Sequence, residues 1–583
     1  MDTSSRGRWF TFPRVIWLSL LAALVLTLPT ITVGHISDDY IHLLILEGWP
    51  AMGTPSNLFH FAGGDVEKLR RMVDEGPYPW WTLPELELTF WRPLSSALAR
   101  GDYQLFGRNP VGGHLHSLAW YLGMVALFGV LLRRFLPTAL GALALFLFAI
   151  DGAHFLVAGW IANRNALVAA VPALFGLWMH LEWRETRRPW ALPLSLAGLA
   201  VGLTGGETAL GLFAYVLAYE LLGARGGVKE RVRAIAPAAL LGLAYLVMYK
   251  LRGFGAYGSG SYVDPVSEPG RFLLAALVRV PVLLSGLVME VPADLWLAAG
   301  LRPVLVGVGL LGLGLLALLV RAAWPSFSED ERRHCRWLFL GAALSLLPVV
   351  ATFPSNRLLL VPSLGGSVAV ALVLVSAWRS RARGWRPRGL AAGAGVLALM
   401  HLVVAPLLWP AMTLVIRQLG AQVEPMLQPL HHGHGLDWKR LPQQRVVVLP
   451  MPNPTVGLYV PMLMALRGMP KPLSWWQLSL SPEPHVLTRT GPASLELSLT
   501  QGHFLTSEFE VVFRGPSHPL PQGARVELKG MTVTVLDADA EGPTRIGFEF
   551  DTPLEDPSFV FLGWKDGALQ PVPPPPVGGR LTF

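Results

Sequence analysis

Cysteine is almost missing from this chain: Cys335 is the only one in 583 residues. That excludes an internal disulfide framework, a cysteine-based zinc site and an iron–sulfur cluster. Charge is scarce too. Charged residues make up 15% of the chain, against about 25% in an average soluble domain. Several signatures are also lacking. Gly205-Gly206 is followed by no Gly-Lys-Ser/Thr, so it is not a phosphate loop. There is no nucleophile elbow, zincin helix or dinucleotide fingerprint. No internal repeat of about 20–50 residues stands out, which argues against a solenoid. What is present is apolar. Hydrophobic residues reach 52% and mean hydropathy is +0.45. Such a chain cannot cover its surface with polar groups in water, and it is too hydrophobic for disorder. It reads as a polytopic α-helical membrane protein. The net charge of +8 comes from short basic clusters between apolar runs, the arrangement of a topology signal rather than of a nucleic-acid surface.

The first apolar run, Val15 to Val33, is long enough to cross a hydrocarbon core of about 30 Å. Arg6, Arg8 and Arg14 precede it. The run is too long for a signal-peptide core and lacks a cleavage site, so it predicts an uncleaved helix with a cytoplasmic N-terminus. Further spans are expected near residues 115–132, 136–151, 165–182, 190–204, 208–222, 234–250, 303–321, 337–353, 358–377 and 389–409. Alternating them places Arg133–Arg134, Arg184/Arg187/Arg188, and the basic segments 225–233, 332–336 and 379–388 on one side, inside. Residues 271–289 are apolar enough to span, but Arg279 sits in their middle. A central arginine costs about 2.5–3.5 kcal/mol. This segment is therefore expected as an interfacial or re-entrant helix, giving about 11 transmembrane helices and an external C-terminus.

Two outer regions are large. The loop 34–113 carries Tyr78-Pro79-Trp80-Trp81 and Trp91-Arg92-Pro93-Leu94, with amphipathic helices expected in the membrane interface near 64–75 and 93–106. The membrane part is thus 1–415, and residues 416–583 form a small β-rich or α/β extracytoplasmic domain. Val446–Leu449 reads as a buried strand, and Leu495–Leu499, Glu508–Phe513, Met531–Leu536 and Arg545–Phe550 as further strands. Pro571–Pro576 reads as a flexible tail. His431-His432-Gly433-His434 has metal-like spacing but lies in a polar linker, and a plain linker is the better reading.

The ionisable groups at the outer helix ends carry the functional signal. Asp38 and Asp39 follow the first span at once, and Arg92 lies in the outer loop. His114 and His116 open the second span, Asp151 and His154 close the third, and Arg164 opens the fourth. Glu207 opens the sixth, Lys250 and Arg252 close the seventh, and Arg302 and Arg357 open later ones. Their common side suggests one cavity open to lipid and to water. A carboxylate can take a proton from an attacking hydroxyl, and arginines can neutralise a departing phosphate. Blander roles compete. Lys250 and Arg252 read as interface markers, His114 and His116 as structural histidines, and Glu207 as a helix cap. The adjacency of two carboxylates favours a site role for Asp38–Asp39.

These residues resemble a known group. The first span followed by Asp38-Asp39-Tyr40 is similar to the start of the GT-C superfamily of integral-membrane glycosyltransferases. Arg92-Pro93-Leu94, Leu105-Phe106-Gly107, Asn109-Pro110 and His114-Leu115-His116 resemble its bacterial members and the eukaryotic O-mannosyltransferases. So do Asp151 to Arg164, and Pro354-Ser355-Asn356-Arg357 running into Leu360–Gly365. The resemblance covers roughly 15–410. It implies an enzyme that moves a hexosyl or pentosyl group from a polyprenyl-phosphate donor to a hydroxyl of a glycan, lipid or protein acceptor. Transfer would occur outside the cytoplasm, at a bacterial inner membrane, with inversion. It implies Asp38 or Asp39, with a slight preference for Asp39, as general base or as holder of acceptor or metal. It implies Arg357 and Arg164 as donor-phosphate ligands, Arg92 shaping the pocket, and His114, His154 and Glu207 among the substrate-binding residues. Some members need a divalent cation and others do not, so cofactor and metal stay open. The chain departs from the mannosyltransferases in having no tetratricopeptide repeats. A lipid-linked-saccharide flippase and a non-catalytic envelope scaffold are the competing functions. Ionisable residues at helix ends rather than midplane count against transport.

Overall fold

The computed structural model describes residues 12–49, 53–382, 388–431, 436–451 and 454–583. The chain forms two compact units. The first comprises Met1–His35, Trp91–Arg252 and Pro265–Arg417; the second comprises Ile36–Phe90, Gly253–Asp264 and Gln418–Phe583. The expected loop 34–113 is thereby divided, most of it going with the C-terminal residues.

The first unit is helical. Among the described residues eight helical segments are long and apolar enough to cross a membrane: Phe12–Thr32, Pro110–Phe135, Ile161–Thr186, Val228–Leu251, Pro269–Met289, Ala299–Ser326, Ser363–Arg381 and Arg388–Ala421. Ala139–Ile150 and Gly152–Gly159, bent by 43°, make a ninth if counted as one span. The bend falls at Asp151, whose carboxylate accepts from Ala153 N and so closes a local turn in place of the helix ladder. Other expected spans are short or polar at one end. Ala191–Gly205 has 15 residues. Residues 208–222 become a 3₁₀ turn, the helix Leu210–Ala218 and a π-helical turn, Tyr219–Gly223. The helix Glu329–Val349 starts in a charged turn fixed by the Ser328/Glu331 capping box.

Close packing between Ile161–Thr186 and Ala191–Gly205 follows from small residues. A Cβ on Gly202 would lie 2.7 Å from Ala169 O, and one on Gly198 would lie 2.7 Å from Pro172 O. Only hydrogen fits there, so the backbones approach as in small-residue membrane interfaces.

Pro269–Met289 is one continuous 21-residue helix that qualifies as a span by length and composition. The arginine that argued for an interfacial placement is buried, and its Nη1 donates to Val350 O at 2.8 Å. The cost of a central charge assumes a lipid-facing guanidinium, which this is not. Pro281 meets Gly309 and Met289 meets Gly312. The 3₁₀ turns Ala293–Leu297 and Ala299–Leu301 connect this helix to the next.

The second unit holds all the strands found among the described residues. These are β1 (His60–Gly63), β2 (Glu87–Thr89), β3 (Gly255–Tyr257), β4 (Arg445–Val448), β5 (Ser474–Gln477), β6 (His485–Gly491), β7 (Ser494–Leu499), β8 (Arg525–Leu528), β9 (Met531–Ala538), β10 (Pro543–Phe550), β11 (Phe559–Lys565), β12 (Ala568–Pro571) and β13 (Arg580–Thr582). They form sheets of order β1-β2-β3, β13-β6-β7-β10-β9-β8 and β12-β11-β4-β5. β4 and β5 are parallel, joined through the helix Pro454–Leu466, as parallel neighbours require a crossover. β6 and β9 alternate buried and half-exposed residues, the pattern of a sheet covered on one face.

Three expectations change here. Residues 508–513 were expected as a strand, but Glu508–Val511 is a helical turn, started by the Ser507/Glu510 capping box. The Pro571–Pro576 stretch is anchored: Arg489 Nη1 donates to Pro575 O, and β13 beyond it pairs with β6. The helix Val66–Glu75 buries its apolar residues Leu69 and Met72 and packs on β5, so protein rather than a lipid interface explains its amphipathic face. It ends at Gly76, φ +94°, where a Cβ would stand 1.8 Å from Trp475 O. The aromatic run that follows is tied in by Trp80 Nε1 to Leu478 O and Trp81 Nε1 to Glu510 O.

Candidate functional site

In the first unit the turn from Trp160 to Asn165 gathers the three expected arginines. Arg164 is buried, its Nη1 donating to Gly113 O at 3.0 Å and its Nη2 to Asp102. Asp102 also accepts from His116 Nδ1 at 2.7 Å. Trp120 Nε1 donates to His116 Nε2, which assigns the imidazole proton to Nδ1. Arg92 reaches the same turn from the other side, with Asn165 accepting Arg92 Nη1 at 3.1 Å once its amide is oriented to satisfy both atoms. Arg92 Nε pairs with Glu207 Oε2 at 2.8 Å, and Tyr249 OH donates to Glu207 Oε1 at 2.8 Å. Glu207 makes no side-chain cap on its helix.

Arg357 differs from these two. It is half-buried, and its guanidinium lies 5.6 Å from the Trp160 ring centre and 5.4 Å from that of Phe353. Among the described residues it has no carboxylate partner. Its backbone is fixed by the two residues before it. Ser355 Oγ donates to Asp294 Oδ1 at 2.6 Å, Asn356 N donates to Asp294 Oδ2, and Asn356 Oδ1 accepts from Ala293 N. A guanidinium over two aromatic faces is held by cation–π attraction while its N–H edge stays available for an anion.

His114 and His154 are each held through one ring nitrogen, while His114 Nδ1 and His154 Nε2 are buried without a hydrogen-bond partner among the described residues. His114 is fully buried with Nε2 on Gly34 O at 3.0 Å. His154 is fully buried, 3.0 Å from Tyr121 OH, among aromatic rings. His35, beside His114, is pushed down to about 4, first by burial and then by the charge His114 would carry, so it is neutral at neutral pH.

Asp38 and Asp39 lie in the second unit, in the first turn of the helix Asp38–Leu46, where the helix dipole favours acids. Their environments differ. Asp39 is buried, and its Oδ2 accepts from Ile36 N at 2.9 Å. Asp38 is half-buried, and its Oδ1 accepts from Tyr459 OH at 3.0 Å. Ser37, just before them, has φ +47°, a left-handed conformation that L-residues rarely hold. Burial first, then the charge of Asp38, push the Tyr78 hydroxyl above its ordinary range.

Sequence reasoning missed Asp102, Tyr249, Asp294 and Tyr459. Asp102 had a signal in being the acid nearest His114 and His116 in sequence; the other three are distant in the chain from what they hold. Among the described residues no group of three or more His, Cys, Asp or Glu is placed to hold a metal ion. His432 and His434 of the linker motif lie outside the described residues.

No family model matches the chain, and no curated protein matches it. Among solved structures it is similar to the Archaeoglobus fulgidus oligosaccharyltransferase tethered to an acceptor peptide with an NVT sequon, at 13% identity and TM-score 0.38, covering 78% of this chain and 63% of that one. The chain therefore spans less than two thirds of that protein's length. It is also similar to Cupriavidus metallidurans ArnT bound to undecaprenyl phosphate, at 14% identity and TM-score 0.31, covering 81% of this chain and 92% of that one.

Proposed function

We propose that this integral membrane protein is a glycosyltransferase of the GT-C type that moves a sugar from a polyprenyl-phosphate donor to an acceptor hydroxyl, with inversion. The carrying observation is Arg357: a half-buried guanidinium over Trp160 and Phe353 with no carboxylate partner among the described residues. A cation so placed in an apolar molecule calls for an anion, and the lipid phosphate supplies one. Arg164 and Arg92, already paired with Asp102 and Glu207, build the turn under Arg357 rather than bind phosphate themselves.

Asp38 is the better base. Asp39 spends an oxygen on its own chain and is buried, whereas Asp38 is half-buried. In the reaction the Asp38 carboxylate takes the acceptor's O–H proton as that oxygen bonds to the anomeric carbon. The bond from that carbon to the phosphate oxygen breaks with inversion, and the polyprenyl phosphate leaves as an anion, a charge that a guanidinium such as Arg357 can neutralise. The cytoplasmic N-terminus, outer C-terminal region and bacterial inner membrane belong to the same proposal, supported by the one-sided basic clusters.

The test is purified protein in liposomes given undecaprenyl phosphate carrying mannose, glucose, galactose or arabinose. Consumption of one donor with release of undecaprenyl phosphate supports the enzyme. Movement of donor between leaflets without release identifies a flippase instead, and no consumption of any of the four sinks the reading.

A further inference from the structure

We propose that Tyr459 is a positioning residue for the Asp38 carboxylate, so that residues of the C-terminal region orient the base instead of only presenting an acceptor. The inference rests on the reading of Asp38 as the base. Three observations carry it. Tyr459 OH donates to Asp38 Oδ1 at 3.0 Å across 421 residues of chain. The helix that bears it, Pro454–Leu466, packs against Asp38–Leu46, so the bond sits in a helix pair and not between loose side chains. The Tyr40 and Tyr459 rings lie 6.5 Å apart, placing the phenol from a second direction.

The bond to Oδ1 restrains the rotation of the carboxylate. Rotation about the Cβ–Cγ bond is soft in a free aspartate, and a base free to turn spends part of its time out of line with the hydroxyl it must deprotonate. Burial first, then the charge of Asp38, keep the Tyr459 hydroxyl well above its ordinary range, so it stays a neutral donor at every working pH. Among the described residues, Tyr459 on the packed helix and Tyr78 are titratable groups that face Asp38 in this unit, and Asp39 faces Tyr459 beside it. Of the two phenols, Tyr78 gives its proton to Phe61 O, while Tyr459 gives its own to Asp38. Donation to the charged form favours that form, so removing it raises the pH at which Asp38 takes a proton.

The experiment compares the full-length parent, Tyr459→Phe and Asp38→Asn in liposomes by infrared difference spectroscopy over a pH series. The carboxylate band absent from Asp38→Asn titrates about one pH unit higher in Tyr459→Phe than in the parent. With whichever of the four undecaprenyl-phosphate sugars is consumed, Tyr459→Phe lowers kcat roughly tenfold at little change in KM and moves the acidic limb of the rate profile upward. It adds nothing in the Asp38→Asn background. Site-specific 3-fluorotyrosine at 459, a stronger donor of the same shape, moves the band the other way. An Asp38 band with the same midpoint in parent, Tyr459→Phe and the fluorotyrosine protein overturns the proposal, whether or not sugar is transferred. Undiminished transfer by Asp38→Asn overturns the base assignment instead, and the spectra tell the two failures apart.

Discussion

Residues of one chemical type play unlike parts in this protein, and neighbouring contacts decide which. Asp38 and Asp39 are adjacent and equally acidic in sequence, yet one accepts from a distant phenol and the other from its own backbone. Asp38→Asn should therefore lower donor turnover by about 10²–10⁴-fold, the usual worth of a general base. Asp39→Asn, which still offers an oxygen to Ile36 N, should keep turnover within a few-fold, and Asp39→Ala should cost about 0.5–1.5 kcal/mol of stability, the usual net worth of one hydrogen bond. Rates in liposomes and thermal melts read both. Among the arginines, Arg357→Ala should cut turnover by about 10²-fold, with partial recovery in Arg357→Lys, because a lysine restores the charge but not the planar fork. Equal losses in Arg357→Ala and Arg357→Lys would assign the planar guanidinium, and not its charge, as the needed feature.

At the scale of elements, capping and close packing override composition. The run 508–513 has strand-like residues, but its first four form a helical turn started by Ser507 and Glu510. That cap buries the Glu510 carboxyl, which desolvation raises from 4.5 to about 7 against the opposing hydrogen bonds from Ser507. The folded form thus holds a proton that the unfolded chain releases near 4.5. Stability is full below that value and falls as pH rises toward 7, by an amount on the order of 3 kcal/mol at about 1.4 kcal/mol per pH unit. Glu510→Gln should flatten this dependence in melts followed by tryptophan fluorescence. A parent whose melting is equally stable at pH 5 and pH 7 would contradict the burial argument. In the membrane unit, Gly202→Leu should drive a side chain into Ala169 O and deplete folded, detergent-stable protein, as read by size-exclusion chromatography, whereas Gly314, with open space at its Cβ, should tolerate Leu.

For the whole molecule, topology is the open prediction. In a Cys335→Ser background, Thr582→Cys should react with a membrane-impermeant maleimide from the outside, and a cysteine in the Arg133–Arg134 turn should not. Labelling of the turn alone would invert the proposed orientation. The C-terminal region is also more than an appendage to its own unit. Residues 36–90 share that unit with 418–583, and the Trp80 and Trp81 indoles are satisfied by carbonyls from it. Removing everything after residue 418 should accordingly unfold the loop, seen as proteolysis of 36–90 in the truncated protein.

Hydropathy alone determined that this is a polytopic helical membrane protein, because long uncharged runs have no other stable fate. A short apolar run likewise announced β4, and Pro/Gly punctuation announced β7, β9 and β10, since such signals need only local chain geometry. The acidic pair and the arginines were legible as candidates because charge is rare in such a chain. That Arg357 has no carboxylate partner among the described residues, that Asp39 is spent on the Ile36 backbone, and that Tyr459 answers Asp38 were decided only by tertiary structure. Pairings across 115 or 421 residues leave no local pattern in the chain, and an ion pair is a property of distance in space rather than of spacing in sequence.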